Sequence, residues 1–168
     1  MHLRNERFWQ ARKTRNMSSK AKGDDRQILN APAVSLVDIG KLRAHERTDE
    51  ARLEKLKTEI ESDGLLARPI VVDEKTNVVL DGHHRLRALS LLGCSKIPVC
   101  YLTYGSEKIG VMSMRKGVEI TKPEVVEAAL RDEPFPPKTT WHYLTSSGTL
   151  NHISYIQRRV NIPLAYLR

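Results

Sequence analysis

The chain has 168 residues, of which 40% are hydrophobic and 29% charged, with a formal net charge of +8. That is the size of one domain with room for a hydrophobic core, and no apolar run approaches the roughly 20 residues a membrane helix needs, so a membrane protein is not expected. The charge is uneven: the first 30 residues hold eight Lys/Arg against three Asp/Glu and so carry five of the eight net charges, which leaves the remainder only mildly basic and weakens any case for a nucleic-acid surface.

Residues 1–30 lack the apolar core of a secretory signal, and the polar stretch Ser18–Asp25 reads as a disordered basic tail, with Met17 a second candidate start. Val34–Val37 is a first strand, followed by a short turn and a loop around Arg43-Ala44-His45-Glu46. Thr48 or Asp49 caps a helix running to about Ser62, with Leu53, Leu56 and Ile60 on one buried face and Gly64 as its stop.

Pro69–Asp73 and Val78–Leu80 form a strand pair across the polar turn Glu74–Asn77. The second strand runs into Asp81-Gly82-His83-His84-Arg85, and a helical pattern with Leu86, Leu89 and Leu92 continues from there to Gly93. Ile97–Leu102 is another strand, and Ile109–Met114 has weak strand character. Thr121-Lys122-Pro123-Glu124 matches a capping box ahead of the helical run Val125–Leu130. Pro134-Phe135-Pro136-Pro137 then stiffens the approach to a loop, Lys138–His142. Val160–Leu164 reads as an edge strand or a partner-contacting arm. Cys94 and Cys100 have no metal-ligand spacing and make no disulfide framework, which suits reduced thiols in a cytoplasm.

Three polar clusters punctuate this framework: His45-Glu46, Asp81 to Arg85, and Lys138 to His142. The middle one is the most informative. A glycine at a strand-to-helix turn lets backbone approach a ligand, the free N–H groups of a helix start can donate to phosphate, and two consecutive histidines are needed neither to cap nor to pack a helix. The plain alternatives are Asp81 as an N-cap, Glu46 as a solvated carboxylate, Lys138-Thr139-Thr140 as a polar loop, Trp141 as an anchor and His142 as a structural hydrogen-bonder. An acid, a phosphate cradle and a Lys/Thr/His loop gathered around a rigid sheet would suit phosphoryl transfer, which positions reactants and neutralises oxygen charge without a covalent nucleophile.

The Asp81–Arg85 turn after a strand, with His45-Glu46 upstream, resembles the ParB/sulfiredoxin-like fold, over roughly residues 33–102. Pro137-Lys138-Thr139-Thr140-x-His142 further resembles a C-terminal loop of that fold's free L-serine kinase branch. The resemblance implies an α+β single domain, a small mixed sheet with flanking helices. Residues 31–145 would be the catalytic domain, and 146–168 an extension packing on it or on a partner. It also implies transfer of a phosphoryl group from ADP or ATP to the hydroxyl of free L-serine, with Mg²⁺ as helper. In that scheme Glu46 takes the serine proton and Asp81 orients the metal or the nucleophile. Gly82, His83, His84, Arg85, Lys138 and Thr139 hold phosphate, and Thr140 and His142 contact the amino acid. The kinase branch carries Arg where this chain has Trp141, and a longer insertion before the C-terminal loop. Its partners would be serine and a nucleotide, with nucleic acid and membrane unlikely and a homodimer left open.

Two neighbouring readings fit less well. A sulfiredoxin needs a cysteine inside the turn, which here has none. A partition protein carries a Glu-Arg-Arg cluster in place of His83-His84-Arg85 and continues into a helix-turn-helix domain, for which residues 103–168 offer no pattern. The remaining alternative is a nucleotide-responsive, ParB-like DNA-binding regulator using the basic tail.

Overall fold

The computed structural model describes residues 32–146 and 148–168; the expected tail and the question of Met17 lie outside them. Five strands form a mixed sheet in the order β1-β6-β4-β5-β2: β1 is Val34–Asp38, β2 Arg43–Ala44, β4 Ile70–Asp73, β5 Val78–Asp81 and β6 Lys96–Leu102. β4 and β5 are the expected antiparallel pair, while β6 returns parallel to β4 after the helix α2 (His83–Leu91). The helix α1 (Glu50–Asp63) starts at Asp49, whose side chain accepts from the Arg52 amide, and ends at Gly64 in the left-handed conformation, as its sequence requires.

Both faces of the central sheet are covered, which explains why β4 and β5 read as unbroken apolar runs rather than alternating ones. Ile70, Val72 and Val79 pack with Leu53, Ile60 and Leu89 of α1 and α2. Val71, Val78 and Leu80 point the other way, onto Val125 and Ala129 of α3 (Lys122–Leu130) and onto Ile109, Leu144 and Ile153. The capping box of α3 forms as expected from Thr121 and Glu124.

A second antiparallel sheet was not expected. β7 (Ile109–Ser113), β8 (Thr140–Ser146) and β9 (Thr149–His152) pair in that order. Thr140, Trp141 and His142 therefore lie on a strand and not in the loop read from sequence. The prolines mark where this strand begins, and Thr140, Trp141, Tyr143 and Thr145 are strand-favouring residue types, a signal that the loop reading overlooks. The chain end is structural: β10 (Ile162–Pro163) pairs with β3 (Leu65–Leu66), and the Leu167 carbonyl accepts from the amides of Ser95 and Lys96. The edge-strand reading of this segment holds. Cys94 and Cys100 are buried free thiols, and among the described residues no helix is long and apolar enough to cross a membrane.

Leu167 is fully buried in the α1/α2 layer. Leu167→Ala should cost about 2–5 kcal/mol, the range for a truncated core leucine, read as a lower urea midpoint with an unchanged slope.

Candidate functional site

The fold brings all three polar clusters to one cavity. It has a volume of about 620 Å³ and is lined by Glu46 from beyond β2, by Asp81 to Arg85, and by Lys138, Thr140, Trp141 and His142. The segment 134–137 delivers the third cluster: Phe135 runs beside Glu46, donating its amide to the His45 carbonyl and accepting from Arg47. Lys138 then adopts a left-handed backbone, φ 58°, which turns three successive amides toward one point.

That point is the Glu46 carboxylate. Oε1 accepts from the Lys138 amide at 2.9 Å; Oε2 accepts from the amides of Thr139 and Thr140 at 3.1 and 2.8 Å and from the Thr140 hydroxyl at 2.8 Å. Glu46 is thus neither a freely solvated acid nor a buried orphan. Among the described residues its Oε1 has a single protein donor, so it keeps acceptor capacity.

Thr139 itself is turned away. Its hydroxyl donates to the Pro136 carbonyl and accepts from Arg115, whose guanidinium also holds the Pro137 carbonyl. With 2% of its surface exposed, the Thr139 side chain props the loop, a different place from the phosphate contact expected of it.

At the turn, Gly82 and not Asp81 is the N-cap of α2, with φ 105° and no side-chain cap. A Cβ at Gly82 would lie 2.4 Å from Cγ2 of Ile70, so the glycine is required by both its backbone angle and its neighbour. Asp81 Oδ2 instead accepts from Arg85 at 2.7 Å and from the Gln157 amide at 2.6 Å. Arg85 also donates to the carbonyls of Arg68 and Pro69 and to Gln157 Oε1. Its guanidinium is largely committed to protein acceptors, so its place in the geometry is to fix Asp81, in contrast to the phosphate contact expected from sequence.

His45, His83, His84 and His142 form a group at the cavity floor and rim, and His152, from β9, also lines the cavity. His45, with none of its surface exposed, lies edge-on to His83 and His142, with ring centroids 4.5 and 5.3 Å away. His142 Nε2 is paired with the Tyr104 hydroxyl at 2.9 Å. His84 Nε2 accepts from the Asp49 amide at 3.0 Å, clasping the start of α2 to the start of α1 and leaving its hydrogen on Nδ1. His83 Nε2 is enclosed and has no hydrogen-bond partner among the described residues.

Burial, reinforced by neighbouring positive charge, holds every ring of this group below the usual histidine range. For His45 burial is joined by His83, and for His142 by His45; both sit well below their ordinary value. His83 is pushed down to about 3 by burial and then by His142, His84 and Arg85. His84 is lowered by burial and Arg52, partly offset by Asp49 and Glu46. Neutral imidazoles are what a positive helix N-terminus tolerates.

Sequence reading missed Arg52, Lys55 and Gln157, and with them the cavity-lining His152. Arg52 and Lys55 reach the cavity from α1, on a stripe beside the buried Leu53/Leu56/Ile60 face. Basic residues three apart on a helix carry no signal of their own. Gln157, buried to 4% exposure, follows the short helical turn Ile153–Ile156 and was hidden in a tail without periodicity.

The ParB N-terminal domain family matches residues 17–116, well over half of the chain. The chain belongs to that family. This ParB N-terminal domain protein is 41% identical over 69 residues to the ATP-dependent L-serine kinase SbnI of Staphylococcus aureus, covering 39% of this chain and 27% of that protein. It is 35% identical over 101 residues to an ATP-dependent L-serine kinase of Desulfurococcus mucosus, covering 57% and 40%. Against the ADP-dependent L-serine kinase SerK of Thermococcus kodakarensis it is 26% identical over 95 residues, covering 54% and 39%. The matches thus span between about a quarter and two fifths of these relatives. In structure it resembles a free serine kinase solved with AMP, at TM-score 0.65 and 16% identity over 83% of this chain and 97% of that one. It also resembles a C-terminally truncated SbnI, at TM-score 0.60 and 19% identity over 80% and 89%. The α+β, ParB-like fold expected from sequence is the one found.

Two outcomes test this arrangement. Gly82→Ala should destabilise the fold by about 2–5 kcal/mol, combining the left-handed backbone with the Ile70 collision, measured by urea unfolding. Neutral buried histidines also set a pH dependence: their folded pKa values lie below the unfolded 6.5, so the unfolded chain takes up protons that the folded one refuses. Stability should be level above pH 6.5 and fall between pH 6.5 and 5, at up to about 1.4 kcal/mol per pH unit for each histidine. Equal stability at pH 7 and pH 5 would contradict it.

Proposed function

We propose that this protein is a phosphotransferase that moves the terminal phosphoryl group of ADP or ATP to the hydroxyl of free L-serine, giving O-phospho-L-serine. One observation carries the reading: the Glu46 carboxylate and the N-terminus of α2 face the same cavity, whose volume lies within the range of small-molecule sites. The serine kinases among its relatives, bearing both ATP and ADP names, favour this over a DNA-binding regulator and leave both donors in view.

The parts divide as follows. The serine hydroxyl approaches Glu46 Oε1, the oxygen with one amide donor against three donors on Oε2. Glu46 takes the hydroxyl proton as the oxygen–phosphorus bond forms. Free amides at the start of α2, beside Gly82, receive phosphate oxygens, and the neutral His83 and His84 add hydrogen-bonding capacity without opposing the helix dipole. His83 Nε2, buried and unpartnered, is the group a ligand would satisfy. Arg52, Lys55 and Lys138 supply the positive charge, and Thr140 and His142 form the wall beside Glu46.

Among the described residues no cluster of three or more His, Cys, Asp or Glu side chains could hold a metal ion. The donor set therefore fits Mg²⁺ arriving with the nucleotide, held by Asp81 and phosphate oxygens, rather than a resident metal. Mg²⁺ bound in that way would neutralise phosphate charge. Arg85 and Gln157 keep Asp81 in place for it.

Phosphorus NMR of the full chain with serine or threonine and ADP or ATP should show O-phosphoserine; no phosphorylated amino acid with either donor would overturn the reading. Glu46→Gln should lower turnover by about 10²-fold or more while nucleotide binding is kept. Arg52→Ala should raise the nucleotide KM by about tenfold with kcat little changed, the loss of one charge-assisted phosphate contact.

A further inference from the structure

The hydrogens shared by Glu46, Thr140 and His45 admit two arrangements. His45 Nδ1 lies 2.7 Å from the Val79 carbonyl, and a carbonyl only accepts, so Nδ1 carries the hydrogen. The buried ring is neutral, and Nε2 presents a lone pair. That lone pair faces Thr140 Oγ1 at 2.9 Å, while the same Oγ1 lies 2.8 Å from Glu46 Oε2. One hydroxyl hydrogen thus stands between two acceptors. When the hydrogen points to His45, Oε2 keeps the Thr139 and Thr140 amides; when it points to Glu46, His45 keeps Val79 through Nδ1 while its Nε2 is left without a donor among the described residues.

We propose that the Thr140 hydroxyl is a rotor shared by Glu46 and His45, donating to Glu46 while that group is a carboxylate and to His45 Nε2 once Glu46 is protonated. His45 is then a positioning residue that acts on Glu46 through Thr140, and Thr140 serves the acid as well as lining the cavity. The inference rests on Glu46 being the base. In the transfer, the serine O–H bond breaks and its proton forms a bond to Glu46 Oε1. The serine oxygen bonds to phosphorus, and the nucleotide oxygen leaves with its electron pair. The Thr140 O–H bond rotates and does not break, and Glu46 returns its proton to solvent after product leaves.

Glu46 faces His84 and Lys138, with Arg52 and Asp49 next to His84; His45 faces His83 from α2 and His142 from β8, and Asp81 acts on His142.

The test follows the Glu46 carboxyl carbon by NMR against pH, in the full chain labelled with ¹³C glutamate and assigned by its absence in Glu46→Gln. Thr140→Val removes a donor to the charged form and should raise the Glu46 midpoint by about one pH unit; Thr140→Ser should restore it. His45→Phe removes the competing acceptor and should lower the midpoint, and that effect should vanish when Thr140→Val is also present. Shifts of the same sign, an unchanged midpoint in Thr140→Val, or an undiminished His45→Phe effect in the double variant would each overturn the rotor. If His45→Phe does not fold, the Thr140→Val and Thr140→Ser pair decides alone. The titration is read without turnover, so absence of phosphoserine from the unsubstituted chain would count against the kinase reading and leave the rotor to stand or fall on its own shifts.

Discussion

Everything at the site depends on the Glu46 carboxylate seated on three consecutive amides, those of Lys138, Thr139 and Thr140. The two partners are more than 90 residues apart, and the left-handed backbone at Lys138 lets three successive N–H groups reach one acid. The cradle joins the central sheet to the second sheet and leaves Glu46 Oε1 with open acceptor capacity. A carboxylate so held is fixed in orientation. The same contact brings Lys138 to the cavity rim, where its charge serves a different partner.

Around that contact, charge is arranged by exclusion. Interlocked imidazoles occupy the floor, and because burial keeps them neutral they fill space beside a helix terminus that would repel cations. Positive charge is instead supplied from the rim, by α1 and Lys138. The arginine inside the turn, which is the obvious candidate from sequence, is bonded to Asp81, Gln157 and two backbone carbonyls. Local sequence cannot separate an arginine that binds phosphate from one that binds carbonyls, since both follow a glycine and both start a helix.

Much of the central layer was legible before any coordinates. Asp49 and Gly64 bound α1, the polar turn between β4 and β5 joins a real pair, and Thr121 and Glu124 close a capping box. Each of these is decided within a few residues. The convergence of Glu46, the Gly82 turn and Lys138 was also anticipated, by likeness to a fold rather than by pattern. What failed to show was decided at long range. β8 completes its ladders with β7, from the far side of α3, and with β9. Gln157 matters only because Asp81 lies opposite, and Arg52 faces the cavity because α2 packs where it does.

The position of the contributors along the chain has a consequence for synthesis. Glu46 and the turn at Gly82 leave the ribosome early, while the amides that seat the first and the Gln157 that steadies Asp81 come 92 and 76 residues behind their partners. A partly made chain can form α1, the β4–β5 pair and α2 from neighbouring residues, yet it displays an unseated acid and an unsupported aspartate. The cavity is therefore completed only after the segments carrying Lys138 to Thr140 and Gln157 have joined the central layer, whose own core also takes in Leu164 and Leu167.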